Sequence, residues 1–312
     1  MGWQLAVSIA VLTLVIVIEL HRAAPLVDIR WIVSPEMLHL TATLLIFRLV
    51  LSEQSSGAPR MFQVLGVTQD QLVPLFSVIV IASLIGGLAC IPFMKPENLP
   101  RFHLVALVLI ATGAWMDSHS TIDTRPAQMY FSQALIAAAG SLFLAPSMLR
   151  GMISALSRGP NYMLSFIVIF LSTQSIGGAI GSGSFTTFIT LRQAEHLQVL
   201  KEQLQTTSPM TTSGVAMRAA ALAPQITDTA QARAQGVSLI ATDISNQAYV
   251  LAYNDAYFLT FMAAAAALFL LLLHLLRDWL VERSEARSAG RSPPSGQPAP
   301  TPHSAARPEP NA

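Results

Sequence analysis

Charge is scarce in this chain of 312 residues: only 11% of its side chains are charged, and aromatics make up 7%. An ordinary soluble domain carries about 25% charged residues, so the composition excludes a conventional hydrated surface. Cysteine is scarcer still. Cys90 is the only one, which excludes an internal disulfide, and its place in an apolar run marks it as a small packing residue. The signatures of soluble chemistry are also missing. There is no Walker loop, no G-x-S-x-G, and no Cys/His cluster at metal-ligand spacing. Ser182-Gly183-Ser184 lies in an apolar run without a His–Asp pair to serve it. The chain therefore reads as a non-enzyme with no metal, no cofactor and no nucleic-acid partner. Its net charge of +1 is unevenly distributed.

What is present is apolar length. Seven segments, residues 3–19, 36–52, 71–94, 102–116, 128–149, 162–191 and 256–276, hold few charges. A hydrocarbon core about 30 Å thick needs about 20 residues of helix. With no water in the lipid to pair backbone amides, each span must be helical. The polar/apolar alternation of a membrane barrel is absent. The fold class is accordingly all-α, a polytopic membrane protein of about seven transmembrane helices, with the lipid bilayer as its first partner. The first segment lacks a basic leader and an Ala-x-Ala site, so it reads as a retained helix rather than a cleaved signal.

Basic residues set the orientation, because Lys and Arg in short loops stay on the cytoplasmic side. Arg22 and Arg30, Lys95 and Arg101, and Arg150 and Arg158 fall in alternate loops. Arg277, Arg283, Arg287 and Arg291 follow the last span, whereas the intervening loops hold only Arg60 and Arg125. The N-terminus is therefore expected outside and the C-terminus in the cytoplasm. An outside start is natural when a helix precedes it. Segment 192–255 is expected outside as a helical hairpin, with Leu197, Leu200 and Leu204 at helical spacing, a stop at Ser208-Pro209, a second helix over 214–223 and a helical lead over 236–255. The Pro-, Ser- and Ala-rich tail, 277–312, is expected to be disordered.

Four stretches occur in a telling order: ELHRAAPLVDIR (19–30), Phe62-Gln63 with Leu65-Gly66-Val67-Thr68, STQSIGGAIGSGSFTTFI (172–189) and QAYVLAYNDAYF (247–258). Together they resemble the fourteen-span drug:proton antiporter branch of the major facilitator superfamily. They match, in turn, its linker after the eighth helix, its approach to the tenth, its Gly-rich thirteenth and the polar start of its fourteenth. The resemblance implies a linker helix and loop (1–35), a six-helix C-terminal bundle (36–276) and a cytoplasmic tail. It implies a multidrug efflux permease of the bacterial inner membrane, proton-coupled and working by alternating access on amphipathic small molecules. Its implied partners are an N-terminal transporter half and a periplasmic adaptor protein on the outer hairpin. The family's cytoplasmic G-x-x-x-D-R-x-G-R-R loop would fall at 86–101, where GGLACIPFMKPENLPR keeps only the Gly pair and basic residues. The competing reading is a truncated or half-size membrane protein that does not transport and assembles with a separate partner.

Each candidate residue has a functional and a structural reading. Arg48, in TATLLIFRLVLSE, stands at membrane depth, where an Arg costs about 2.5–3.5 kcal/mol on insertion scales. It either faces a water-filled cavity and holds an anionic group, or snorkels to a boundary about 8 Å away. Glu53 either accepts a proton at the outer mouth or is solvated there; it lies about 140° around a helix from Arg48, poorly placed to pair with it. Gln174 either binds substrate or bridges helices. Gly177, Gly178, Gly181 and Gly183 form small-residue ridges for helix packing. Asn254 and Asp255 are either a protonatable site or the N-cap of the last span. Gln133, with Gly140 nearby, shares the ambiguity of Gln174, and His39 and His103 read as interfacial.

Overall fold

In a computed structural model the protein is described over residues 2–22, 25–95, 98–203, 209–222, 226 and 228–289. Among these residues there is no strand. Contacts divide the chain into two compact units, Met1–Phe269 and Leu270–Ala312.

The apolar runs become helices. α1 (Gly2–His21) has its large apolar side chains turned outward all round, from Trp3 at 69% exposed to Ile16 at 37%. A helix apolar on every face is one that lipid covers. α2 (Ile29–Ile32) is a single turn capped by Asp28, whose carboxylate accepts from Trp31 N at 2.9 Å; Asp28 N in turn donates to Ser165 Oγ at 2.8 Å. α3 (Pro35–Val50) starts with proline in its first turn, where the missing N–H costs nothing. It stops at Leu51, and two short helices follow, α4 (Ser52–Ser56) and α5 (Ala58–Val64). Gly57 divides those two. A Cβ there would stand 2.5 Å from Glu53 O and 2.9 Å from the Tyr257 ring, so the close approach requires glycine. The expected span 36–52 is thus a 16-residue helix followed by a broken segment.

α6 (Gln69–Cys90) opens with a capping box of Thr68 and Gln71, and α7 (Leu99–Asp117) with proline in its first turn. α8 (Tyr130–Arg158), α9 (Asn161–Gln203), α10 (Pro209–Leu222) and α11 (Thr229–Ala289) complete the order. Among the described residues five helical stretches, Gln69–Phe93, Leu99–Asp117, Pro126–Arg158, Asn161–Gln203 and Thr229–Ser284, are long and apolar enough to cross a membrane. The apolar stretch of α1, Ala6–His21, and α3 are shorter. The chain is an all-α polytopic membrane protein.

Three expectations change. The span over 162–191 and the amphipathic stretch after it are one 43-residue helix, α9. The last span and its lead are one helix beginning at Thr229, so Asn254 and Asp255 lie mid-helix and cap nothing. The tail stays helical through Ala289, its remainder lying outside the described residues along with Leu204 and Ser208 of the expected stop. In the second unit Arg283 stacks over Trp279 at 4.9 Å and His274 sits 3.3 Å from Asp278.

Within the larger unit α6 and α7 pack on α8, while α3 and α4 pack on α9. Small residues allow close approach: a Cβ on Gly86 would meet Ala138 O at 2.6 Å, and one on Gly113 would meet Ser132 O at 2.8 Å. Three apolar clusters fill the bundle. One gathers around Trp31, Met37, Ala155 and Phe166, where α3 begins and α8 ends. A second, with Phe47, Ile110, Ile136 and Phe143, stacks Phe47 on Phe143. The third, with Met61, Phe62, Leu72 and Tyr257, closes the opposite end.

Candidate functional site

Between the second and third clusters lies a buried polar layer. The contributing segments run from one cluster to the other, through Leu51 and Ala58 around Glu53, Met129 and Ile136 around Ser132 and Gln133, and Tyr257 and Ala264 around Thr260. Asp117 joins the layer from the last position of α7. Glu53 and Gln133 are 0% exposed and Asp117 2%.

Asp117 stands at a helix C-terminus, where the backbone dipole disfavours an acid. Its carboxylate is held by side-chain donors instead: Ser132 Oγ donates to Oδ1 and Gln133 Nε2 to Oδ2 at 2.7 Å. Glu53 contrasts with it. The α3–α4 break carries its carboxyl group inward, and neither oxygen has a hydrogen-bond partner. Thr260 lies within reach, but its hydroxyl is committed to Ala256 O at 3.1 Å. Glu53 and Asp117 are near enough to interact electrostatically, and both act on the phenol of Tyr257. That hydroxyl has the weakly accepting Met61 Sδ at 3.9 Å. An isolated carboxylate out of water costs several kcal/mol, roughly, unless it is paired or binds a proton. Two carboxyl groups, an amide, a phenol and two hydroxyls thus share one buried layer. That set can hold and pass a proton.

The candidates fall in three places. Glu53 and Gln133 belong to this layer, and Glu53 is buried, not solvated. Asn254 is near its edge: Nδ2 donates to Ser120 O at 2.7 Å and Oδ1 is buried without a partner. Asp255 is elsewhere, one-third exposed, where its Oδ2 accepts from Arg192 Nε at 2.6 Å and lies 2.8 Å from His196 Nε2. That cluster ties α9 to α11, and Glu195 joins it through Arg192.

Arg48 and Gln174 form the third place, on the α3–α9 contact. A Cβ on Gly177 would stand 3.1 Å from Arg48 Cβ and Cγ, and one on Gly178 would stand 3.2 Å from Nη2. Gly181 faces Ser52 at 2.8 Å. The guanidinium therefore lies at the level of Gly178, short of the layer that Ser52 and Glu53 occupy, and does not snorkel toward that end. Gly183 has nothing within 4 Å of an added Cβ, so it packs against no neighbour among the described residues, unlike the other three glycines. His103 is half-buried, with Nε2 2.9 Å from Ser147 Oγ and its ring stacked on Phe143, whereas His39 is exposed. Among the described residues no group of His, Cys, Asp and Glu is arranged to hold a metal ion.

Sequence reasoning missed Asp117, Ser132, Tyr257 and Thr260. Asp117 just after an apolar run looks interfacial, and the one available signal was an acid at the unfavourable end of a helix. A separate cleft of about 480 Å³ opens between α10, α11 and the segment around Asp123, with the Arg218–Asp243 ion pair on its wall. No protein-family model matches this chain, and no curated protein or solved structure matches it.

Proposed function

We propose that this chain is the C-terminal half of a proton-coupled efflux transporter. It works by alternating access against a second bundle and exports amphipathic small molecules. The observation that carries the reading is the pair of buried carboxyl groups, Glu53 and Asp117, brought from separate helices into one buried polar layer with Glu53 unpartnered. Ionisable groups at such depth mark proton and substrate pathways far more often than packing. Glu53 also stands in a discontinuous helix, where transporters place coupling sites. In this mechanism Glu53 takes a proton from the outer side. Asp117, held by Ser132 and Gln133, keeps the neighbouring charge in place, and Tyr257 and Thr260 line the transfer route. The sequence resemblance to drug:proton antiporters supports the same reading and adds an N-terminal half and a periplasmic adaptor on the outer hairpin as partners.

The test uses everted vesicles of cells making the full chain, with dissipation of an imposed pH gradient by amphipathic dyes as the readout. Glu53→Gln and Asp117→Asn are each expected to cut dye-driven proton movement at least about tenfold, the loss of an essential proton carrier, at unchanged abundance in the membrane. Glu53→Asp should retain part of it. Full movement in both neutral variants would sink the proton-site assignment. No movement from the folded wild-type chain would favour the non-transporting half-size reading.

A further inference from the structure

The orphaned polar atoms of the bundle divide by chemistry. Around the carboxyl layer they are acceptors: both Glu53 oxygens, Gln133 Oε1 and Asn254 Oδ1. On the α3–α9 contact they are donors, Arg48 Nε and Gln174 Nε2. The remaining two, Trp31 Nε1 and Ser34 Oγ, lie near the start of α3. A proton on Glu53 would supply one donor to the first set. The second set asks for an acceptor.

Arg48 has no ion-pair partner among the described residues. Its neighbours along α3, Leu44 to Phe47 and Leu49 to Leu51, offer no counter-charge. A cation at this depth is retained when something compensates it. Gly177 and Gly178 supply the room, since a Cβ at Gly178 would crowd Nη2 at 3.2 Å and Nε at 3.3 Å. Gln174 precedes Gly178 by four residues, one turn, and shares its face of α9. A planar guanidinium fork matches the planar, two-oxygen geometry of a carboxylate, and an amide one turn along the facing helix adds a further donor.

We propose that Arg48, seated over Gly177 and Gly178, together with Gln174 one turn earlier on α9, binds the anionic oxygen group of an amphipathic organic acid whose apolar body lies along the apolar residues of α3 and α9. Naming that acid a transported substrate rests on the transporter reading above; the binding site itself does not.

Equilibrium binding to the purified full-length chain in detergent tests this, with the fluorescent series 2-naphthoate, 2-naphthol and 2-naphthylmethylammonium as probes. One apolar body then carries three head groups. Naphthoate should bind at least about tenfold tighter than the other two, the scale of a charge-assisted hydrogen bond. Arg48→Gln should remove that advantage while leaving naphthol binding unchanged, and Arg48→Lys should keep part of it because a point charge remains. Gly178→Ala, which crowds the guanidinium without touching its charge, is the second variant should Arg48→Gln fail to fold, and it too should weaken naphthoate selectively. Equal binding of the three probes, or unchanged naphthoate binding in a folded Arg48→Gln or Gly178→Ala chain, would overturn the proposal. So would displacement of naphthoate by chloride or inorganic phosphate at comparable concentration, which would mark a site for simple inorganic anions. The measurement involves no proton movement, so it and the vesicle experiment fail independently.

Discussion

At the scale of single residues, the glycines separate those that hold the bundle together from those that only look similar in sequence. Gly86 lets α6 touch the backbone of α8: a Cβ would meet Ala138 O at 2.6 Å and Ala138 Cα at 2.8 Å, and backbone cannot rotate away. Gly183 belongs to the same kind of small-residue pattern yet faces open space. Gly86→Ala should therefore destabilise the protein by about 1–3 kcal/mol, the usual cost of forcing extra volume into a packed contact. Gly183→Ala should cost nothing. Thermal unfolding in detergent, followed by loss of helicity, reads the difference, and equal stability of the two variants would contradict the α6–α8 contact. The same scale explains why Glu53 and Asp117 differ despite sharing a carboxyl group. Asp117 accepts from Ser132 and Gln133, whereas Glu53 has no partner.

At the scale of elements, the break between α3 and α5 is what turns Glu53 inward. Leu51 and Gly57 interrupt the helix, and the five residues between them pack on α9, with Ser56 Oγ 2.8 Å from Ser182 Oγ. Cysteines at both positions, in a chain whose Cys90 is replaced by serine, should cross-link within minutes under mild oxidation, since thiolate exchange is fast when the sulfurs meet. Gel mobility after proteolysis between the two sites reads it. No cross-link would mean that α4 does not sit on α9 and that Glu53 is not held as described. The α9–α11 contact is of another kind. Arg192, His196 and Asp255 form a half-exposed ion cluster, and exposed pairs of this sort contribute about 0–1 kcal/mol each. They orient the helices more than they hold them.

At the scale of the whole molecule, the alternate basic loops and apolar segments of the sequence predict that the two ends lie on opposite sides of the bilayer. α10 follows α9 at the end of the bundle where α3 and α7 finish, so a tag inserted at Gly214 should be accessible from outside. An epitope in the 291–312 tail should be accessible only after permeabilisation. Labelling of intact cells decides it, and cytoplasmic exposure of Gly214 would overturn the orientation and the transporter reading with it. The apolar helices were legible in the sequence because hydropathy acts locally. The continuity of α9 through the end of its expected span at residue 191 was not legible. Residues 192–203 continue the helix because no Gly or Pro breaks it, although Thr190, Arg192, Gln193 and Glu195 make the boundary polar.

The sequence by itself determined that this is an all-α membrane protein, where its apolar helices lie, and that Arg48, Glu53, Gln133 and Gln174 are costly residues for apolar segments to carry. Each of those conclusions follows from the local balance between side-chain transfer and backbone pairing. Tertiary structure alone decided which of them meet. Glu53, Asp117, Gln133 and Tyr257 come from four separate stretches of chain, and packing of those stretches places them in one buried layer. The same packing sets Arg48 against Gly178 and away from Glu53, and binds Asp255 to Arg192. Burial and partnership depend on contacts distant in sequence, and no local pattern of residues encodes them.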